Sequence, residues 1–373
     1  MSGFAPGQRL VALDVFRGLT IAGMVMVNNP GSWTAVYPQL LHAEWHGWTF
    51  TDTIFPFFLF IVGVAVPMAL GGRSLEGVHG KIARRTAVLF GLGLWLAVFP
   101  FYNGLTGAWV NLGELRIMGV LQRIALCYAA CALIFLYLPA WRAQIGLTAG
   151  LLVFYWIAMS LGGPLTAEGN LSGAIDRAIL TPAHIWKGSD QIYDPEGLFS
   201  TIPAIATTMM GVLCGRWLML GRPGYETVAG LFAAGFGLLL LGWAWGQVFP
   251  INKPLWTSSY AVFMGGLALL VLAACIWLID LKGVRWWTAP FVIFGVNALA
   301  LYIGSSMLAR VMNWTPAGMI EGQVISLKRW LHETGFGWIA PQELGSLAFA
   351  LVYLGFWLFL MWLLYRKRIF IKI

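Results

Sequence analysis

Residues 51–72 read TDTIFPFFLFIVGVAVPMALGG, a run in which one acidic side chain, Asp52, opens an otherwise apolar stretch. A helix crosses the hydrocarbon core of a bilayer in about 20 apolar residues, so this stretch reads as a transmembrane helix. Working outward from it, runs of the same kind lie near 10–29, 86–103, 117–138, 143–162, 199–219, 226–246, 255–280, 288–309 and 346–365. The expected fold class is therefore all-α, a polytopic membrane protein of about ten transmembrane helices. Composition agrees, with 59% hydrophobic and 10% charged residues in a chain of 373, where a soluble globular chain carries about 25% charged. That deficit excludes a water-soluble domain, a disordered chain and, despite the net charge of +8, a nucleic-acid-binding fold.

An even number of spans puts both termini on one side. With that side inside, the inner segments carry fourteen Lys and Arg, Arg9, Arg73, Lys81, Arg84, Arg85 and Lys372 among them, and the outer segments seven. Positive side chains favour the cytoplasmic side, so both termini are expected there. The long connections 30–50, 163–198 and 310–345 then face outward, and long connections of this kind are usually functional. The first run carries Asp14 and Arg17 with no small-residue cleavage site after it, and is expected to stay in the mature chain. The four cysteines, Cys127, Cys131, Cys214 and Cys275, lie inside apolar runs and read as small apolar packers rather than as disulfides or metal ligands.

An ionisable side chain at a helix centre costs roughly 2.5–3.5 kcal/mol to insert, so each one needs a partner or a purpose. Asp14 and Arg17 stand three apart on one helix face, either as a self-neutralising pair or as an anion-binding Arg held by its carboxylate. Gln122 and Arg123 sit inside the fourth run with no acidic neighbour in sequence, and a planar guanidinium facing a cavity suits an oxyanion. Asn28 closes the first run before Asn29 and Pro30, as Asn often does at a helix end. Asp52 fits a first-turn carboxylate. Between them LLHAEWHGWTF (40–50) holds His42, Glu44 and His46; a histidine can act as base, acid or nucleophile near neutral pH. Two histidines four apart lack the further ligands of a metal site, so no metal is expected. Asp194 and Glu196 precede the sixth run, either as a helix start or as carboxylates for a cationic or hydroxyl-rich substrate. Asn252 and Lys253 precede the eighth, and Asn297 is a buried amide within the ninth.

Seven segments occur in order: LDVFRG (13–18), MVNN (26–29), HAEWHGWTFTDTIFPFFLFIVG (42–63), GVLQRI (119–124), YDPEGLFSTI (193–202), PINKPLWTSSY (250–260) and PFVIFGVNALALYIG (290–304). Together they resemble the transmembrane acyltransferase family of heparan-α-glucosaminide N-acetyltransferase, whose bacterial relatives include N-acetylglucosamine-related membrane proteins. The resemblance implies a single transmembrane acyltransferase domain over 1–373, in a bacterial inner membrane and as a homodimer. It further implies transfer of an acetyl group from cytoplasmic acetyl-CoA to the amine of an amino sugar or glycan acceptor on the far side.

The family's catalytic His, in H-x-x-W-x-G-x-T-x-x-D, falls on His42, its carboxylate on Asp52 and its Asn on Asn28. Its Arg residues fall on Arg17 and Arg123, expected with Asp14 and Gln122 to hold the CoA phosphates toward the cytoplasmic face. Asp194, Glu196, Asn252, Lys253 and Asn297 are the candidates for acceptor contact. In three places the sequence departs from the family. It has no counterpart of the large lumenal N-terminal domain, it reads Ser305-Ser306 where His-Glu is expected, and its 28–42 stretch is longer. These departures bear on the acceptor, a free amino sugar being expected rather than heparan sulfate. The competing readings are a sugar transporter without chemistry and a glycan O-acetyltransferase.

Overall fold

A computed structural model describes residues 10–72, 76–320 and 322–371; Arg9, Arg73 and Lys372 of the charge count lie outside them. Nine of the ten predicted apolar runs each overlap one long helix, and the ninth overlaps two. In order these are α1 (Val11–Val27), α2 (Phe50–Leu70), α3 (Val78–Val98), α4 (Val120–Tyr137) and α5 (Trp141–Leu161), then, after α6 (Leu171–Leu180), α7 (Thr201–Leu218), α8 (Gly224–Trp245) and α9 (Ser258–Cys275). A π-helical turn, Ile276–Leu281, extends α9, and α10 (Ala289–Val296), α11 (Ala298–Trp314), α12 (Leu327–Gly335) and α13 (Gln342–Arg366) complete the set. Two short antiparallel hairpins, β1 (Tyr102–Asn103) with β2 (Ala108–Trp109) and β3 (Pro316–Ile320) with β4 (Gln323–Ser326), lie in the connections.

By length and composition α2, α4, α5, α8, extended α9 and α13 can cross a membrane, and the pair α10–α11, bent by 83°, is either a seventh, broken span or a re-entrant loop. Three differences from the sequence reading have local causes. Helix α3 begins eight residues before the predicted run, because the basic segment around His79, Lys81, Arg84 and Arg85 is itself helical. The ninth run is broken at Asn297, which takes a non-helical conformation between α10 and α11. The long connections are partly structured: α6 is capped by Asn170, whose side-chain oxygen accepts from the Gly173 N–H at 2.6 Å, and α12 likewise by Ser326.

Helices α1, α2, α7 and α9 are mostly buried, and glycine is what lets the backbones meet. A Cβ at Gly63 of α2 would lie 1.9 Å from the Thr208 carbonyl oxygen of α7, and one at Gly211 of α7 only 2.1 Å from that of Phe60. Small residues at such crossings replace the hydrophobic effect as the source of tight packing within lipid. The pair Gly18 and Gly295 does the same for α1 and α10. All four cysteines are buried free thiols, in keeping with a packing role.

The helix directions give the bundle two chemically distinct ends. At one, the last turns of α1 adjoin the first of α2, where Phe50 packs near Gly23, and the starts of α4, α7 and α9 gather. At the other, Asp280 accepts from the Ala12 N–H at 3.2 Å, joining the end of extended α9 to the start of α1.

Candidate active site

Thr49 and Asp52 start α2 as part of a capping box, in which a side chain at the third helical position accepts from the N-cap backbone. Asp52 Oδ2 takes the Thr49 N–H at 3.0 Å, the Ala43 N–H at 3.0 Å and the Thr49 hydroxyl at 3.2 Å. The other oxygen, Oδ1, lies 2.6 Å from His42 Nδ1. Asp52 is 1% exposed while the His42 side chain is half exposed, so a buried carboxylate orients an imidazole that still reaches the surface. The Tyr260 hydroxyl donates to the Asp52 carbonyl at 2.6 Å, fixing the helix start against α9.

The loop carrying His42 is pinned from the α8–α9 connection. Gly47 N–H donates to the Ile251 carbonyl at 2.7 Å, and Asn252 Nδ2 donates to the Trp45 carbonyl at 2.7 Å. Asn252 Oδ1 accepts from the Leu255 N–H, so this amide serves the loop framework and is not displayed to a substrate. The neighbouring Lys253 Nζ stands 3.2 Å from His42 Nδ1 and 3.1 Å from Nε2, and 4.0 Å from Asp52 Oδ1. Burial pushes its pKa down, against the opposing pull of Glu196 and Asp52.

Behind this dyad lies a second charged layer. Arg116 makes a two-pronged contact with Asp194, Nε to Oδ2 at 2.8 Å and Nη2 to Oδ1 at 2.5 Å, and also reaches Glu196 Oε2 at 2.5 Å. The two carboxylates therefore share one guanidinium and are held in place by it. Burial pushes the Glu196 pKa up, but Arg116, Lys253 and Arg123 together hold it below the ordinary value. Arg116, from the connection before α4, is the residue that organises the cluster.

The placement of Arg123 and Asn297 departs from expectation. Arg123 is fully enclosed; its Nη2 donates to the Gly197 carbonyl at 2.9 Å and to the Ser200 hydroxyl, and its guanidinium stacks over Trp256 at 5.1 Å. It staples α4 to the start of α7 at the His42 end. Arg17 is at the opposite end, contacting Asp14 at 3.4 Å and the Gly295 carbonyl, so the two arginines do not share one phosphate site. Gln122 is buried against Gly93 of α3. Asn297 binds the Ile369 carbonyl at 3.0 Å and the Ile371 N–H at 2.9 Å, which commits its amide to the chain's own backbone rather than to an acceptor. Asn28 is exposed at the end of α1, whereas its neighbour Asn29 is buried and donates to the Val25 carbonyl. Of the two loop histidines only His42 contacts Asp52; His46 Nδ1 lies 3.4 Å from Asn252 Nδ2. Among the described residues no group of three or more His, Cys, Asp or Glu side chains is placed to hold a metal.

A multi-span helical bundle with a carboxylate-oriented histidine at one end places the chain in the class of membrane-embedded helical proteins with a built polar site. The family model described as heparan-alpha-glucosaminide N-acetyltransferase, catalytic, matches residues 9–229, more than half of the chain, and the chain belongs to that family. It is 26% identical over 430 residues to mouse heparan-alpha-glucosaminide N-acetyltransferase, covering 98% of this chain and 61% of the relative. Against the human protein of the same name the figures are 27% over 424 residues, 98% and 60%. The chain thus spans about 60% of the length of these relatives.

Proposed function

We propose that the protein is a transmembrane acetyltransferase that moves an acetyl group from acetyl-CoA to the amine of a glucosamine-type sugar. The observation that carries this reading is the 2.6 Å contact between His42 Nδ1 and the buried Asp52, at a ring that remains half exposed. A carboxylate only accepts hydrogen bonds, so it fixes the proton on Nδ1 and leaves the Nε2 lone pair available, the arrangement a nucleophile or general base requires. From there Nε2 either attacks the thioester carbonyl, giving an acetyl-histidine, or takes the proton of the sugar ammonium for direct attack.

In this reading ten helical segments cross the membrane as one domain, with both termini cytoplasmic and the His42 end outward, in a bacterial inner membrane and as a homodimer. CoA remains a cytoplasmic reactant, with Arg17 the residue on that side for its phosphates. Only the small neutral acetyl group passes to the outer side. Asn28 supplies an amide N–H near the reacting carbonyl, and Asp194 and Glu196 act through Arg116 on the acceptor side.

The test is CoA release from acetyl-CoA by purified protein, with and without glucosamine, for wild type and His42→Ala. Glucosamine-dependent release lost in the variant supports the reading. No release with any amino sugar from folded protein points to a sugar transporter instead, and release onto hydroxyl acceptors alone points to O-acetylation. Release that survives in His42→Ala removes the histidine from the chemistry.

A further inference from the structure

Lys253 Nζ is nearly equidistant from the two ring nitrogens of His42, 3.2 Å from Nδ1 and 3.1 Å from Nε2. An in-plane position at those distances would collide with Cε1, so the ammonium stands over the ring. It therefore occupies neither lone-pair direction: Nδ1 keeps its proton toward Asp52, and Nε2 stays open. The lysine cannot drift far, because its chain neighbour Asn252 is tied to Trp45 and Leu255 and its side chain is only 14% exposed. Burial lowers its pKa, as do Arg123 and Arg116, while Glu196 and Asp52 favour its charged form.

We propose that Lys253 is a catalytic residue, whose ammonium stabilises the oxyanion that forms on the thioester carbonyl at His42. The inference rests on the acetyltransferase reading above. In either route a lone pair, from Nε2 or from the sugar nitrogen, forms a bond to the carbonyl carbon, and the C=O π pair moves onto oxygen. That oxygen carries a full negative charge beside the ammonium, which is where a preorganised positive group lowers the barrier. When the pair returns, the C–S bond breaks and its electrons leave on the CoA sulfur as thiolate. In the direct route the imidazole takes the first proton of the sugar ammonium, and the thiolate takes the second once the C–N bond has formed. In the acetyl-histidine route the thiolate takes the first proton. The free amine then attacks the acetyl carbon, the C–Nε2 bond breaks with its electrons returning to Nε2, and the imidazole takes the second proton. Such a role separates Lys253 from a mere acceptor contact, since it acts on the donor half of the reaction.

The charged and titratable groups around His42 are Asp52 from α2, Lys253 from the α8–α9 connection, Glu44 and His46 from its own loop, and, one layer back, Glu196, Arg116 and Arg123. The experiment compares wild type, Lys253→Met and Lys253→Arg, reading kcat and the KM values for acetyl-CoA and for the sugar. Loss of one oxyanion-stabilising group costs about 10²–10³-fold in kcat, and that loss is expected for Lys253→Met. KM for acetyl-CoA should change little. Lys253→Arg keeps the charge and should recover most of the rate; it also carries the test should the methionine variant fail to fold.

A Lys253→Met enzyme with wild-type kcat overturns the proposal. So does a rate loss seen only as a raised KM for the sugar, or a Lys253→Arg enzyme as slow as Lys253→Met. A wild type that turns over no acetyl-CoA overturns the acetyltransferase reading itself, and is told apart because no variant is needed to see it.

Discussion

Asp176 offers a quantitative test of the framework around α6. It lies on α6 with its side chain enclosed; Oδ1 accepts from the Leu198 N–H at 2.8 Å and the Phe199 N–H at 3.4 Å, while Oδ2 is buried without a hydrogen-bond partner. Burial pushes its pKa up to about 6, only partly opposed by the two backbone N–H groups. Relative to an ordinary value of 3.8, this corresponds to about 3 kcal/mol between the two protonation states. The folded chain holds the proton more tightly than the unfolded chain. The associated stability is fully present below pH 3.8 and is lost as pH rises through about 6. Asp176→Asn keeps an acceptor for the two N–H groups but cannot ionise. Whatever fixed offset the new amide introduces, the stability difference between wild type and variant should shift by about 3 kcal/mol in favour of Asn between pH 4 and pH 8. Unfolding by a denaturing detergent titration, followed by tryptophan fluorescence at each pH, measures it. A difference that stays flat across that range would refute the claim that Asp176 is buried and proton-bearing.

Two further perturbations probe packing and charge. Arg116→Leu strips the counter-charge from Asp194 and Glu196, and breaking one side of a buried ion pair costs about 3–5 kcal/mol. The same unfolding titration should show that loss, with much of it recovered when Asp194→Asn and Glu196→Gln are added. Gly211→Ala places a Cβ 2.1 Å from the Phe60 carbonyl oxygen and should destabilise by about 1–3 kcal/mol, as overpacking does. Gly237→Ala, on a part of α8 with open space around it, should be neutral or mildly stabilising, and equal effects at the two sites would contradict the close α2–α7 crossing.

What could be read from sequence and what could not divide along physical lines. The apolar runs announce their helices because length and hydropathy are local properties. The start of α3 escapes that reading because its basic first turns are polar yet helical, and the break at Asn297 escapes because hydropathy continues across it. His42 and Asp52 are ten residues apart and are brought together by a helix start that Thr49 and Asp52 announce, so that contact was within reach of a motif. Lys253 meets His42 across 211 positions and Arg116 meets Asp194 across 78; no local pattern encodes either meeting. The surroundings of Arg123 were equally out of reach of local pattern: its guanidinium meets a carbonyl, a hydroxyl and the face of an indole, while its Nε and Nη1 are buried without a hydrogen-bond partner.

The divided duty of Asp52 has a consequence for how this position can change over time. One oxygen begins a helix and closes a loop, and the other holds an imidazole, so a single replacement disturbs assembly and chemistry together. A descendant that abandoned the reaction would still be under pressure to keep the aspartate for the sake of the fold. Its presence in a relative is therefore poor testimony that the relative is active, whereas retention of the half-exposed His42, which anchors far less, speaks more directly to function.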